Sequence, residues 1–363
     1  MFDYVEGGAD DEVSAAANWV AFRRWRLLPL NLQDVSSPDL RSELMGRPIA
    51  MPLLLAPTGY ARMMHPDGEI AAARAARRAG LPYVLSTVAS TSIEELAATG
   101  HSDLWFQLYV WRDRGFTWDL VARAWAAGYR VLELSVDVPV PGHRVRDLRN
   151  GLTIPPALTP GTLLGIAIRP TYWVRMLRSP PLRFANAPQR VDGGVTIENM
   201  TAQFDPSLTW DDLAEVRRRW PGELLVKGCL GVGDSRRAIE AGADGVHLSN
   251  HGGRQLDRAV APIDLVRPVR DALGAGPAVI VDSGVRHGSD VAVALALGAD
   301  AAAVGRAYLY GLMAAGETGV DRALELLRTQ FSRTLQLLGT PSVAALRARG
   351  SDAIIEPGVP PAR

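Results

Sequence analysis

The stretch Glu223-Leu-Leu-Val-Lys227-Gly228, followed by residues 234–241 and by Gly245-Val-His-Leu-Ser249, contains one complete strand–helix–strand unit. The first and last segments are short and largely apolar, and each ends in polar residues. The middle segment has the amphipathic spacing of a helix that lies on a sheet. This unit predicts an α/β fold with parallel strands.

The same unit recurs along the chain, and its apolar runs are continuous rather than alternating, which is typical of parallel strands covered on both faces. The predicted strands are Met51–Ala56, Pro82–Ser86, Leu104–Tyr109, Arg130–Val136, Glu223–Lys227, Gly245–Ser249, Ala278–Val281 and Ala301–Val304. Eight strand–helix units predict a single (β/α)8 TIM barrel over residues 1–363. A doubly wound sheet is the alternative, but no G-x-G-x-x-G follows the first strand.

Three segments lie outside this repeat. Residues 1–50 form an N-terminal cap region, residues 138–208 a long insertion after the fourth strand, and residues 355–363 a Pro-rich, loose tail. Within the insertion, residues 151–191 contain five arginines and no acidic residue, interleaved with aromatic side chains. Such a segment is suited to an anionic membrane surface. A solvated lid over the barrel mouth and an oligomer contact are the alternatives.

Composition narrows the class of protein. The formal net charge is zero, so no global field favours nucleic acid, and 47% hydrophobic residues suit a large core. One cysteine excludes an internal disulfide framework. No signal peptide and no long apolar run are visible, so we expect a cytoplasmic protein, with peripheral contact to the inner face of the cell membrane through residues 151–191 as the alternative.

Polar residues follow nearly every predicted strand, at the barrel end where this fold places its chemistry. The last two strands end in Asp282-Ser283-Gly284-Val285-Arg286 and in Gly305-Arg306. Glycine lets backbone N–H groups approach an anion, and arginine binds it. The sequence therefore predicts a phosphorylated ligand at this edge and no metal site.

Lys227 is the single lysine among 39 lysines and arginines, and it ends the fifth strand. A lysine there needs a partner or loses its charge. Because lysine is a compact point charge and arginine a wide planar fork, the position favours a site that requires a small cation. We expect Lys227 to face the barrel centre, where a cofactor ring would lie.

His251 follows the sixth strand, and Gly252-Gly253 allow Arg254 to fold back towards it. An arginine binds a carboxylate and a histidine moves a proton, so the pair predicts an anionic substrate. Asp137 is placed to orient the imidazole, and Arg144 and Tyr109 to complete a carboxylate pocket.

The run Ser249-Asn-His-Gly-Gly-Arg-Gln255 resembles the signature of the FMN-dependent α-hydroxy acid dehydrogenases and oxidases. This family includes glycolate oxidase, L-lactate dehydrogenase and mandelate dehydrogenase. Supporting matches are Phe2-Asp-Tyr4-Val-Glu-Gly-Gly, Ala56-Pro-Thr-Gly, Trp105-Phe-Gln-Leu-Tyr109, Val136-Asp-Val-Pro, Val226-Lys-Gly and Asp282-Ser-Gly-Val-Arg286. The insertion looks most like that of the membrane-associated lactate and mandelate dehydrogenases, and a homotetramer is expected.

The resemblance implies roles for the residues. The flavin ring would contact the backbone of Pro57, Thr58 and Gly59 and the side chains of Ser86, Gln107 and Ser135, with Lys227 beside N1 and O2. Ser249 and Asp282 would hold the ribityl chain, and Ser283, Gly284, Val285, Arg286, Gly305 and Arg306 the phosphate end. Arg144, Arg254, Tyr4 and Tyr109 would bind the substrate carboxylate, and His251, Asp137 and Tyr109 would form the catalytic group. Val88 and Tyr60 would line the side-chain pocket, where the small Val88 leaves room for a large substrate.

The implied reaction is oxidation of an (S)-2-hydroxy acid to the 2-oxo acid, with electrons passed to a quinone or another carrier. Three alternatives stay open: an oxidase that reduces O2 to H2O2, a relative that oxidises a natural-product or peptide-derived intermediate, and an FMN-barrel isomerase. Gly59, where oxidases of the family often carry Ala, favours a dehydrogenase. Ser135 replaces a common Thr and keeps the hydroxyl. Met1 directly precedes the Phe-Asp-Tyr motif, which predicts either weak anchoring of Tyr4 or a misplaced start.

Overall fold

The computed structural model describes residues 2–150, 174, 177, 179–186, 203–228 and 230–356. The strands are β1 Arg26–Leu27, β2 Ser42–Leu44, β3 Arg47–Ile49, β4 Leu53–Leu55, β5 Tyr83–Ser86, β6 Leu104–Leu108, β7 Val131–Ser135, β8 Glu223–Gly228, β9 Gly245–Leu248, β10 Ala278–Val281, β11 Ala301–Val304 and β12 Ile354–Ile355. The α-helices are α1 Phe2–Glu6, α2 Val13–Arg24, α3 Gly68–Ala79, α4 Ile93–Ala97, α5 Arg114–Ala126, α6 Val145–Arg149, α7 Trp210–Arg219, α8 Val232–Glu240, α9 Ile263–Leu273, α10 Gly288–Ala296, α11 Arg306–Leu337 and α12 Val343–Arg349.

Strands β4 to β11 form a closed barrel of eight parallel strands. Each pairs with the next in the chain, and β11 closes the ring on β4 through Ala302 and Leu53. The predicted (β/α)8 barrel is therefore confirmed, and a doubly wound open sheet is excluded. Nearly all residues of these strands are buried, because the barrel interior covers one face and the outer helices cover the other.

The β2–β3 hairpin closes the end of the barrel at which the strands begin. Its Leu44 and Ile49 join an apolar cluster with inward side chains of the barrel, which include Trp105 and Leu225. On the rim, Arg47 donates a hydrogen bond of 3.1 Å to Glu223, the first residue of β8. We call this end the floor and the opposite end the mouth.

The N-terminal region divides between the two ends. While the hairpin lies at the floor, α1 and α2 lie at the mouth, where the Ala9 N–H donates to the Gly253 carbonyl at 2.8 Å. Asn18 of α2 exchanges two amide hydrogen bonds of 2.8 and 2.7 Å with Asn250. The predicted cap region therefore contributes to both ends of the barrel.

The chain end is tied back to the N-terminal region. Strand β12 pairs antiparallel with β1, so that Ile355 faces Arg26. Ile355 therefore lies in a strand and not in a loose tail, and the tail prediction for 357–363 falls outside the described residues.

The insertion after β7 is described only in parts. Phe204 forms a bridge with Trp111 in the loop after β6, and Phe184 is buried at the mouth. Both phenylalanines therefore lie at the mouth of the barrel. Most of residues 151–191, the segment predicted to contact a membrane, lies outside the described residues. Among the described helices, none is long and apolar enough to cross a bilayer.

Candidate active site

A cleft of about 1420 Å3, including its solvent-open part, occupies the barrel mouth. Its walls contain these residues predicted from the sequence: Tyr4, Pro57, Thr58, Gly59, Ser86, Tyr109, Arg144, Lys227, His251, Arg254, Asp282, Ser283, Gly284, Val285, Arg286, Gly305 and Arg306. Gln107, Ser135, Asp137 and Ser249 do not line it and are largely buried behind the wall. The structure thus brings most of the residues expected for a cofactor and for a substrate to one cavity.

His251 is oriented by Asp137 across the mouth. Its Nδ1 lies 3.2 Å from one carboxylate oxygen of Asp137 and 3.4 Å from the other. Because a carboxylate accepts hydrogen bonds, Nδ1 carries the proton, and the basic nitrogen is Nε2. Nε2 lies 3.3 Å from the Tyr109 hydroxyl at the cleft wall. This arrangement directs the basic atom of the imidazole towards the cavity.

The charge of Asp137 is secured by its surroundings. Burial raises the pKa of the Asp137 carboxyl, but the charges of His251 and Lys227 outweigh burial and hold that pKa below its ordinary value. An ionised Asp137 stabilises the cation that forms when His251 takes up a proton.

The turn that presents His251 has an unusual backbone. His251, Gly252 and Gly253 have φ angles of 58°, 66° and 75°, in the left-handed region. The glycines adopt it without strain, but a histidine does so only when its neighbours hold it there. The His251 N–H donates to the Ser249 hydroxyl at 3.0 Å. A side chain at Gly253 would come within 2.5 Å of the Ala15 nitrogen, so α2 also requires glycine there.

Lys227 lies in the inner wall with its side chain 3% exposed. Its Nζ donates to the Ser249 hydroxyl at 2.9 Å and lies 3.7 Å from the Asp282 carboxylate. Burial lowers the pKa of Lys227, but Asp282, Asp137 and Glu133 outweigh it, so that pKa is raised. The lysine is a buried ammonium at the edge of the cleft and is charged at neutral pH.

One end of the cleft is formed by the loops after β10 and β11, where an anion was predicted to bind. Gly284 has a φ of 122°, and a side chain there would come within 2.5 Å of the Asn18 carbonyl oxygen. Arg306 donates to the carbonyls of Val5 and Gly252 at 2.8 and 2.9 Å. Burial is the main cause that lowers the pKa of Arg306 to about 10, so it remains a cation at neutral pH. Arg286 donates to the Tyr310 hydroxyl at 2.9 Å.

A second basic group surrounds Tyr4. The guanidinium carbons of Arg254 and Arg144 lie 4.9 and 5.2 Å from the centre of the Tyr4 ring. Arg254 also donates to the carbonyls of Tyr4 and Gly7 at 2.6 and 2.8 Å. These contacts anchor Tyr4 in α1. The two arginines can bind a carboxylate at the side of the cleft that holds His251.

The family follows from sequence comparison over nearly the whole chain. A family model described as FMN-dependent dehydrogenase matches residues 1–352. The chain belongs to this family.

Two relatives of this chain are named for lactate or mandelate. A Mycobacterium tuberculosis protein named "Putative L-lactate dehydrogenase" is 48% identical, over 96% of this chain and 84% of its own length. The (S)-mandelate dehydrogenase of Pseudomonas putida is 43% identical, over 95% and 88% of the two chains. A crystal structure described as monotopic membrane protein (S)-mandelate dehydrogenase has a TM-score of 0.92 at 42% identity, and covers 98% of this chain and 94% of that chain.

The residues of the cleft fit FMN, the cofactor of the family. The arginines and glycines of the loops after β10 and β11 suit a phosphate, and Lys227 suits a ring that accepts negative charge. Behind the wall, Ser86 donates to Oε1 of Gln107 at 3.0 Å. This leaves Nε2 of Gln107 and the hydroxyl of Ser135 buried without a hydrogen-bond partner among the described residues. Unpaired buried donors are costly, and a polar heterocycle would satisfy them.

The cleft that contains His251 also has an apolar part. Val88 and Tyr60, both predicted, line it together with Met64 and Phe184. The rings of Tyr60 and Phe184 stack at 4.5 Å. Both walls are held from behind by the buried Glu69, which accepts from the backbone N–H of Ala61 and of Ser90 at 3.0 and 2.8 Å.

Two features of the site were not predicted. Gln255 donates to the carbonyls of Asp137 and Val140 at 3.1 and 3.0 Å, and so fixes the loop after β7 to the turn that carries His251. Gln255 lies in the signature run, which was the available signal. Glu133 and His247 form a buried ion pair inside the barrel, 2.7 Å apart. Each stands among apolar residues of a strand, and the sequence offers no sign that they meet.

Proposed function

We propose that this protein is an FMN-dependent (S)-2-hydroxy acid dehydrogenase that forms the corresponding 2-oxo acid. The observation that carries the proposal is the position of His251. Its basic Nε2 faces the cleft, its Nδ1 is held by the ionised Asp137, and two arginines lie at the same side of the cavity. A base beside a carboxylate-binding group is what oxidation of a hydroxy acid requires.

In this proposal Arg254 and Arg144 bind the substrate carboxylate, with Tyr4 and Tyr109 as additional hydrogen-bond donors. Burial is the main cause that raises the pKa of Tyr109 well above its ordinary value, so its hydroxyl keeps its proton at physiological pH. His251 accepts a proton from the substrate, and Asp137 stabilises the resulting imidazolium.

When bound, FMN supplies the acceptor for the two electrons and for the second hydrogen nucleus that the hydroxy acid loses, while His251 holds the first proton. Lys227 would lie at its N1 and O2 edge, and Ser249 and Asp282 beside the ribityl chain. The loops at 283–286 and 305–306 would hold its phosphate. A fixed positive charge at the ring favours the added electrons without any movement of the protein at the moment of transfer.

The apolar part of the cleft favours substrates with an apolar side chain. Val88, Met64, Tyr60 and Phe184 offer apolar and aromatic surface with few hydrogen-bond donors. Aromatic walls suit an aromatic side chain, because offset or edge contacts between rings are favourable. We therefore propose mandelate-like and larger aliphatic hydroxy acids ahead of glycolate.

A panel of 2-hydroxy acids, mixed anaerobically with the FMN-loaded protein, tests this function. We expect (S)-mandelate and long-chain (S)-2-hydroxy acids to bleach the flavin absorbance faster than glycolate does, and the (R)-acids to leave it unchanged. A protein that binds FMN but is bleached by no member of the panel would contradict the proposal.

For the electron acceptor we propose a quinone or another carrier. Gly59, the position at which oxidases of the family often carry Ala, supports this choice. The expected result is slow reoxidation of the reduced protein in air and rapid reoxidation by a soluble quinone. Rapid reoxidation in air with one H2O2 formed per turnover would instead assign an oxidase.

Two further proposals concern assembly. Peripheral contact with anionic membranes through residues 151–191 is supported by the solved relative described as a monotopic membrane protein. Flotation with anionic vesicles but not with neutral ones is expected, and absence of flotation would overturn it.

A homotetramer is proposed from the resemblance alone, and light scattering at micromolar concentration tests it.

A further inference from the structure

The Glu133–His247 pair lies in the barrel interior below the cleft and is not used in the proposed reaction. Both side chains are completely buried. Nδ1 of His247 lies 2.7 Å from Oε2 of Glu133, while Oε1 of Glu133 has no hydrogen-bond partner among the described residues. Removing two charged groups from water is costly, so their presence between apolar neighbours requires an explanation.

The pair is connected to the flavin-binding wall. Nε2 of His247 lies 3.3 Å from Oδ2 of Asp282, and this same oxygen lies 3.7 Å from Nζ of Lys227. Glu133, His247, Asp282 and Lys227 therefore form a row of alternating negative and positive charges. Asp282 and Lys227 line the cleft, whereas Glu133 and His247 do not. His247 can influence the cofactor only through this row or through its electric field.

We propose that His247 is a positioning residue whose imidazolium, held by Glu133, compensates the charge of Asp282 and so raises the reduction potential of the bound FMN. Without that cation, the uncompensated Asp282 carboxylate would oppose the negative charge that the ring acquires on reduction. Lys227 alone would then have to balance the charge of Asp282 and the charge of the reduced ring. The inference needs bound FMN but not the proposed hydroxy acid substrate.

The surrounding groups support a protonated His247. Burial lowers the pKa of His247, but the adjacent Glu133 and Asp282 outweigh burial and raise that pKa to about 9. Among the described residues, Asp137 is a further charged group that acts on Lys227. The pKa of Asp137 and that of Asp282 lie below their ordinary values, and that of Lys227 above. With its pKa raised to about 9, His247 is a cation at neutral pH.

Three variants separate an electrostatic role from a structural one. In His247→Gln the positive end of the pair is lost, whether Glu133 keeps its charge or takes up a proton. In Glu133→Gln the histidine keeps Asp282 but loses its second carboxylate, so its titration moves to lower pH. In the double variant Glu133→Leu/His247→Leu, apolar side chains replace the ion pair, a change that is often neutral for stability.

The measurement is the midpoint potential of each FMN-loaded variant between pH 6 and 10, by equilibration with a redox dye. At pH 7 we expect His247→Gln and the double variant to bind FMN. At a fixed solution potential, their ratio of reduced to oxidised flavin should be about tenfold lower than that of the wild type. For a two-electron couple this corresponds to a midpoint potential that is ~30 mV lower. The wild-type potential should fall more steeply with pH as His247 loses its proton. That steep segment should move to lower pH in Glu133→Gln and be absent in the other two variants.

Histidine side-chain NMR of the oxidised holoenzyme, with His247→Gln to assign the resonance, provides an independent readout. In Glu133→Gln we expect the pH at which His247 titrates to shift in the same direction as the steep segment of the potential. If all variants that fold keep the wild-type potential at every pH, or if the segment stays in place in Glu133→Gln, the pair is structural only and the inference is wrong. Because a dye supplies the electrons, that result would leave the proposed substrate untouched, and an inactive substrate panel would leave this inference untouched.

Discussion

The two ends of the barrel interior are built by the same strands and have opposite chemistry. At the floor, inward side chains such as Trp105, Val131 and Leu225 pack with the β2–β3 hairpin in an apolar cluster. Two residues further along the same strands, Gln107, Glu133 and Lys227 are polar or charged and buried. One step of the period-two alternation thus separates the apolar cluster at the floor from buried polar residues nearer the mouth. This comparison predicts that floor variants lose stability and mouth variants lose chemistry.

The largest effect expected at the mouth is that of His251→Gln. The variant should fold and bind FMN, but reduction of the flavin by a hydroxy acid should slow by roughly 10²- to 10⁴-fold, because the base is lost. Anaerobic stopped-flow absorbance measures it. His143→Gln is the matched control, since that side chain is 65% exposed and paired only with Asp10 among the described residues. Normal reduction by His251→Gln would remove the base from the proposed mechanism.

At the floor, Trp105→Ala tests the other half of the comparison. Trp105 is fully buried and donates to Asp103 at 2.8 Å. Its truncation should lower the free energy of unfolding by about 3–5 kcal/mol through the cavity it creates, with little change in FMN affinity. Urea unfolding and flavin titration measure the two quantities. Trp19→Ala, at a residue that is 41% exposed, serves as control and should change stability little. A large loss of FMN affinity in Trp105→Ala would show that the two ends are coupled.

The Glu133–His247 pair lies between floor and mouth, and its contribution to stability depends on pH. Glu133 and Asp282 outweigh burial and raise the pKa of His247 from its ordinary 6.5 to about 9. The stabilisation of the folded state by the protonated His247 is therefore complete below pH 6.5 and is lost as pH rises through 9. The difference in unfolding free energy between wild type and His247→Gln should therefore narrow across this range, by on the order of 3 kcal/mol. Urea unfolding at several pH values measures it. A constant difference would mean that His247 does not titrate there.

A smaller effect at the mouth is expected for Arg254→Met. Loss of a charged hydrogen bond to the substrate should weaken apparent binding by about 1.5–3 kcal/mol, while FMN stays bound. The concentration dependence of flavin reduction measures it. Arg258→Met, at an exposed arginine four residues further on, is the control. Unchanged apparent affinity in Arg254→Met would count against its role in binding the carboxylate.

The barrel and most of the cleft could be predicted because each strand has a local sequence pattern. Apolar runs end in polar residues, and in a parallel barrel those ends meet at one mouth. His251 and Asp137 could therefore be predicted to interact although they lie 114 residues apart in the sequence. What could not be predicted depends on three-dimensional contacts. His251 adopts a left-handed backbone that Gly252-Gly253 alone do not imply, and Phe184 reaches Tyr60 from the insertion. Glu133 stands in an apolar strand, and only the closed barrel shows that His247 is its partner.

Lys227 has a practical consequence for handling the protein. It is the one lysine of the chain, and its ammonium is enclosed in the inner wall of the barrel. Amine-reactive reagents therefore find no lysine side chain of this chain on the outer surface of the barrel. Slow acylation of Lys227 would report on opening of the barrel mouth, and bound FMN should protect against it.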